Sequence, residues 1–312
     1  MPSSETRSGV FFGLGGYALW GFVPLYFKLL AGVPALTILC HRALWSVPLL
    51  LGIVLAWRQG PRLRALLASR RMMGYLFACS LLIAVNWLTF IFAVLSGHTT
   101  QASLGYFMNP LVAVLLGMVV LKETLRPRQW VAIGVAAVGV GVMVSMAGVV
   151  PWVSLVLAFS FAVYALLRKL SGVESLVGLT VEVLLLSPVA AGYLLWAQTA
   201  GPDATLDLSW YTHGLLALSG VVTAAPLLLF GSAARRVKLS TLGLMQYLAP
   251  TLQFIVAITL LGESMRPEQW VAFGFIWAAV AIYVSDMLPG RAHHHTPPTP
   301  DAPAPRPVTD GV

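Results

Sequence analysis

This sequence has very little charge. Asp, Glu, Lys and Arg make up only 10% of its 312 residues, against roughly 25% in soluble domains. Hydrophobic residues make up 58%. So few charges cannot cover a soluble globule of this size, and the composition is that of a membrane protein. Acid is scarcer than base: 11 Asp and Glu stand against 19 Lys and Arg, a formal charge of +8. The excess base does not point to nucleic acid, because the cations stand singly between apolar runs instead of clustering on a solvated domain. Two cysteines, Cys40 and Cys79, fall inside apolar runs, where a lone Cys behaves as a small hydrophobe. No disulfide, metal site or cofactor is expected. No Walker motif occurs, which argues against ATP hydrolysis by this chain. The N-terminal MPSSETRSG enters an apolar span without a small-residue cleavage site, so that span is expected to be retained.

What is there is a series of apolar runs. A helix needs about 20 mostly apolar residues to cross a bilayer. Ten runs meet that test, at 9–30, 35–57, 73–95, 101–121, 129–147, 150–169, 174–198, 214–234, 240–261 and 270–288. The expected fold is therefore an all-α integral membrane protein. The long polar stretches between spans are RQGPRLRALLASRR (58–71) and GPDATLDLSWYTH (201–213). With the N-terminus inside, sixteen of the 19 basic residues fall on the inner side; Lys28 and Arg266 fall outside, and Arg42 lies within a span. Cytoplasmic loops collect Lys and Arg, so both termini are expected to be cytoplasmic in a multi-pass inner-membrane protein. The chain divides into a short N-terminus (1–8), two blocks of five spans (9–147 and 150–288) and a Pro-rich tail (289–312). The tail lacks apolar periodicity and is expected to be disordered. Its adjacent His293, His294 and His295 lack the outer shell of a real metal site and are read as solvated.

The two blocks resemble each other. LRPRQWVAIG at Leu125 is echoed by MRPEQWVAFG at Met265, and the same offset of 140 residues pairs Glu123 with Glu263, Pro110 with Pro250, Pro48 with Pro188, Phe107 with Tyr247 and Lys28 with Arg168. SLG (103–105) and TLG (241–243) match at an offset of 138, so the register slips by two there. Five spans per repeat is an odd number, so the second copy enters the membrane from the opposite side and the repeats are inverted. Inversion accounts for the exchange of Arg128 for Glu268, since one copy of the loop faces the cytoplasm and the other faces out. Inverted repeats suit a carrier in which two similar bundles rock about a central site.

Six stretches carry a family resemblance: YALWGFVPLYFK (17–28), TILCHRALWS (37–46), NWLTFIFAV (86–94), ASLGYFMNPLV (102–112), LAFSFAVYALLRK (157–169) and LSTLGLMQYLAPTL (239–252). Together they resemble the RarD proteins of the EamA group in the drug/metabolite transporter superfamily, from about Arg7 to Asp286. The resemblance implies a ten-helix inner-membrane carrier of two EamA repeats, in a group that exports metabolites and drugs and whose RarD members are commonly labelled chloramphenicol-sensitive. The sequence departs from the family at Thr37, where the family has Glu four residues before His41. A role for that acid does not carry over.

Ionisable groups inside a bilayer are costly, about 2.5 to 3.5 kcal/mol for Arg at a helix centre, and are functional candidates by default. Arg42 and Glu182 lie deep in the second and seventh spans and are related by the 140-residue offset. Two roles fit each. Arg42 can recognise an anionic substrate group or snorkel towards water; Glu182 can carry a coupled proton or bond neighbouring polar groups. His41 is an imidazole, a group whose unperturbed pKa of about 6.5 suits coupling, and it equally suits a buried structural role. Lys28 and Arg168 end the first and sixth spans, either as charges at the two mouths or as interfacial anchors. Tyr17, Trp20, Asn86, Trp87, Tyr106, Asn109, Tyr164, Gln246 and Tyr247 form a polar and aromatic set at membrane depth. Such groups line ligand pockets and also join helices. Pro110 and Pro250 are candidate hinges, alongside Pro24, Pro48, Pro188 and Pro226, because proline frees helix carbonyls. The small residues of GVAAVGVGV (134–142) allow close helix contact and offer either internal packing or a homodimer surface. The expected partners are thus a small-molecule substrate, the lipid bilayer and a second copy. Against the carrier stand a channel and an intramembrane enzyme acting on a lipid or isoprenoid-linked substrate. An enzyme needs a convergent acid, base or metal set, and Glu182 is the sole acid well inside a span.

Overall fold

The computed structural model describes residues 4–122, 127–147, 150–199, 208–234, 236 and 245–287. Glu123 and Arg126, residues 201–207 of the second polar loop, the first residues of the 240–261 run, and the tail with its histidines lie outside the described residues. Those described form helices joined by short turns: α1 (Ser4–Leu29), α2 (Ala35–Ala56), α3 (Gly60–Ala68), α4 (Arg70–Leu95), α5 (Thr99–Leu121), α6 (Pro127–Ala147), α7 (Trp152–Ser171), α8 (Ser175–Thr199), α9 (Trp210–Ala234), α10 (Leu248–Thr259) and α11 (Pro267–Met287).

Seven of these helices, α1, α2, α4, α5, α6, α8 and α9, hold stretches long and apolar enough to cross a membrane, and α7 and α10 hold shorter ones. Their outward faces are apolar too: Phe11, Val189 and Leu195 are 78%, 74% and 68% exposed. Scattered through so many helices, this surface belongs against lipid.

Local chemistry sets several boundaries. Pro127 and Pro267 open α6 and α11, where a missing N–H costs nothing. Gln269 accepts a hydrogen bond from the Arg266 amide just before α11 (2.8 Å). Two boundaries differ from the sequence expectation. The first helix begins at Ser4, and the polar stretch 58–71 contains α3. That stretch reads as a loop because its arginines hide a one-sided apolar pattern, of which Leu63 is buried.

The main core cluster draws on α1, α2, α4, α7, α8 and α9, with Val23, Phe27, Ile38, Ile83, Phe90, Leu157, Val183 and Leu216 among its buried members. A second cluster joins α5, α6, α7, α10 and α11 around Phe107, Phe254 and Phe273. Helix packing is reciprocal. α5 lies along α7 and α10 along α1; α4 lies along α7 and α9 along α1; α2 meets α8, α6 meets α11 and α5 meets α10. In the small-residue stretch of α6, Gly139 abuts Phe275 of α11, so this part of it packs within the chain.

Candidate functional site

Among the described residues, Glu182 and Arg42 are charged side chains buried inside the bundle. Glu182, in α8, has no exposed surface. Both of its partners come from α7. Arg168 Nη1 donates to Oε1 at 3.3 Å, and the Tyr164 hydroxyl donates to Oε2 at 3.1 Å. Tyr164 and Arg168 are four residues apart, so they share one helix face and reach the same carboxylate. The other end of the guanidinium, Nη2, donates to the carbonyls of Val173 (3.3 Å) and Glu174 (3.1 Å) in the turn before α8. Gly178 makes this possible. A Cβ there would occupy the space of the Arg168 guanidinium, so only a bare backbone lets the arginine lie across α8.

Arg42, in α2, is 7% exposed and has no such carboxylate. Its Nε donates to Thr223 Oγ1 of α9 at 2.8 Å. Its guanidinium carbon sits 4.0 Å from the centre of the Trp87 ring and 5.8 Å from that of Phe27, cation–π contacts that soften burial of the charge. Among the described residues no acid pairs with it. Close approach of α2 and α9 places Thr223 there: a Cβ on Gly220 would meet the Trp45 carbonyl at 2.5 Å.

Between the two charges runs a wall of rings and amides. Phe27 meets Phe90, Phe90 meets Tyr106, Tyr106 meets Phe161 and Phe161 meets Tyr164, with centroids 5.6 to 6.4 Å apart. Tyr106 donates its hydroxyl to Asn86 Oδ1 (3.1 Å), and the Asn86 amide donates to the Leu157 carbonyl (3.1 Å) and to Ser160 Oγ (2.9 Å). Arg42, Trp87, Asn86, Tyr106, Tyr164 and Glu182 are thus brought into one continuous region.

The remaining sequence candidates lie elsewhere or play other parts. Tyr17 and Trp20 form an aromatic group with Phe230, and the Trp20 carbonyl accepts from Gln253 Nε2 at 3.2 Å. Tyr247 stacks on Phe107 with centroids 6.3 Å apart, and its hydroxyl is buried without a hydrogen-bond partner among the described residues, as is Asn109 Oδ1. Gln246 is half-buried in the turn before α10, His41 is half-buried, and Lys28 is exposed at the end of α1. Pro110 lies within α5, and the Pro250 carbonyl accepts from Ser103 at 2.7 Å, tying α10 to α5. Pro24, Pro48, Pro188 and Pro226 lie inside α1, α2, α8 and α9. Cys40 and Cys79 are buried and are not joined in a disulfide.

Sequence reasoning missed Thr223, Ser160 and Gly178. Small hydroxyls and glycines are common in apolar helices, and only contact distinguishes these. Glu263 was visible as a repeat partner of Glu123, but not its part: its two carboxylate oxygens accept from the Thr99 (2.6 Å) and Thr100 (2.8 Å) amides at the N-terminus of α5, a charge placed where the helix dipole favours it.

The profile of the EamA-like transporter family matches residues 7–145. Across 92% of its length the chain is 44% identical to an uncharacterized transporter of Pseudomonas aeruginosa, covering 96% of that protein. It is 42% identical to Protein RarD of Escherichia coli K12, covering 92% of this chain and 97% of that one. A crystal structure with 17% sequence identity superposes with a TM-score of 0.59 over 90% of this chain and 98% of its own, a likeness of fold alone.

Proposed function

The chain belongs to the EamA-like transporters, in their RarD group, and from that premise we propose that it is a secondary carrier. It exports small metabolites or drugs by alternating access through ten spans arranged as inverted repeats, 9–147 and 150–288, with both termini in the cytoplasm. The observation that carries the reading is the pair of intramembrane charges at related positions, one locked by an internal partner and one not.

Several contacts support the arrangement. Exchanging α1 with α7, α4 with α9 and α5 with α10 turns each of the reciprocal packings into its counterpart, as a two-fold axis in the membrane plane requires. Loops assigned to one side meet each other. Arg62 of α3 pairs with Glu174 beside α8 at 2.6 Å, both on the assigned inner side; Glu263 meets Thr99 on the assigned outer side.

In this reading the Arg168–Glu182 pair and Tyr164 fasten α7 to α8 and close the inner side. Opening that side separates the pair. Protonation of Glu182 removes the charge that holds Arg168, which couples opening to a proton. Pro110 and Pro250 supply bends that α5 and α10 use on rocking. Lys28, exposed beyond the opposite end, is an outer mouth charge.

The test is counterflow in proteoliposomes with a broad panel of labelled metabolites that includes chloramphenicol and amino acids. Saturable, protein-dependent exchange of at least one compound is expected. Failure of the whole panel to show saturable flux, or electrical currents far above carrier rates, would remove the proposal.

A further inference from the structure

Repeat-related positions 42 and 182 hold opposite charges with opposite surroundings. Around Glu182, the chain supplies a cation, Arg168, a hydroxyl, Tyr164, and a glycine, Gly178, that makes room for the cation. At an offset of 140 residues the hydroxyl and the glycine do not recur, and the cation recurs only as an exposed lysine. Tyr164 corresponds to Pro24, Arg168 to Lys28 and Gly178 to Ile38. Ile38 is fully buried and fills the place that Gly178 leaves open, and Lys28 stays exposed. Arg42 is therefore a buried cation without an internal counter-ion among the described residues. One of its five N–H groups is bonded, to Thr223.

A guanidinium this deep, with one donor bonded and no acid beside it among the described residues, has its remaining donors to offer to an anion. The chemistry of the site limits which anion. A single guanidinium, with no second Lys or Arg in a contact with its cluster among the described residues, matches one negative charge. The planar fork fits a carboxylate through two parallel hydrogen bonds. The surroundings, Trp87, Phe27, Phe90 and Tyr106, fit an apolar or aromatic body rather than a polyhydroxylated one. We infer that Arg42 is the anion-binding residue of the substrate site and that the transported class is small organic monocarboxylates with an apolar body. Substrate carboxylate replaces, in the first half, what Glu182 supplies to Arg168 in the second.

This inference rests on the carrier reading, and its test separates the two. Purified full-length protein in zwitterionic nanodiscs is titrated with benzoate, benzamide and benzamidine, which share size and shape and carry charges of −1, 0 and +1, and with hexanoate against hexanamide. Binding is read by calorimetry and by the shift in unfolding temperature. One or both acids are expected to bind saturably, and the neutral and cationic analogues at least 10-fold more weakly. Arg42→Gln is expected to abolish acid binding, Arg42→Lys to weaken it at least 10-fold, and Trp87→Leu to weaken the aromatic acid more than the aliphatic one. Arg42→Lys keeps the charge and serves where Arg42→Gln does not fold. Equal binding of acid and amide, undiminished acid binding in folded Arg42→Gln and Arg42→Lys, or no saturable binding of either acid overturns the inference. Flux of neutral or cationic compounds in counterflow would then leave the carrier standing. Conversely, Arg42-dependent acid binding without flux of any compound would remove the carrier and keep the anion site.

Discussion

Glu182 is held by two side chains from a single face of α7, and each makes a different prediction. If the carboxylate carries the coupled proton, Glu182→Gln should flatten the pH dependence of counterflow, because the amide stays neutral at every pH and no longer releases Arg168 on protonation. Arg42→Gln should alter that profile less, since the Arg42 cluster shares no hydrogen bond with Glu182. Identical pH profiles for wild type and Glu182→Gln would take Glu182 out of the proton path. Gly178 gives a structural counterpart. Gly178→Ala places a methyl group where the guanidinium lies, so that end of Arg168 must move off Glu182; the weakened pair should show as a fall in unfolding temperature. Gly192→Ala in the same helix meets nothing within 4 Å and should cost no stability. Arg42 and Glu182 were legible as candidates because a charge in an apolar run stands out. Gly178 and Thr223 were not, since their importance depends on which side chain crosses them, and that is decided by packing between residues far apart in sequence.

At the scale of helices, apolar run length gave ten runs, and seven of the described helices are long and apolar enough to cross a membrane, a length that a bilayer of fixed thickness imposes. It did not give α3, whose nine residues are too short and too basic to register. Nor did it show that Tyr106 and Tyr247, both expected to line a pocket, lie in different clusters. Tyr106 faces Asn86 and the main core, whereas Tyr247 stacks on Phe107 in the second cluster. Periodicity assigns a residue to a helix face, and crossing angles decide which neighbour that face meets. The cap on α5 is also an interhelical device, since Glu263 lies between α10 and α11. Glu263→Ala removes the acceptors of two amides at the start of α5. Loss of a helix cap costs about 0.5 to 2 kcal/mol, and the variant should unfold at lower temperature. Glu268→Ala, which loses a 3.9 Å contact with an exposed Arg266 and a charge in the first turn of α11, should cost less, about 0.3 to 1 kcal/mol. Equal losses in the two variants would show that the Glu263 cap adds nothing beyond a surface charge.

The architecture of the whole molecule depends on one geometric claim, that the second repeat is turned over relative to the first. The RPxQW segments test it directly, because Arg128 and Glu268 occupy the same place in their repeats, in the first turns of α6 and α11. An inverted protein presents them to opposite compartments, and a protein with parallel repeats presents them to the same one. In a background with Cys40→Ala and Cys79→Ala, single cysteines are introduced at Arg128, at Glu268 and, as an inner-side reference, at the exposed Arg64 of α3. Intact cells are treated with a membrane-impermeant maleimide before and after permeabilisation. The cysteine at 268 should label in intact cells, and those at 128 and 64 only after permeabilisation. Labelling of 128 and 268 from the same side would rule out inversion, and with it the symmetry that makes Arg42 and Glu182 counterparts. Labelling on opposite sides but with 64 and 128 outside would preserve the inversion and reverse the orientation. The Arg168–Glu182 latch would then close the outer mouth, and Lys28 would stand at the inner one.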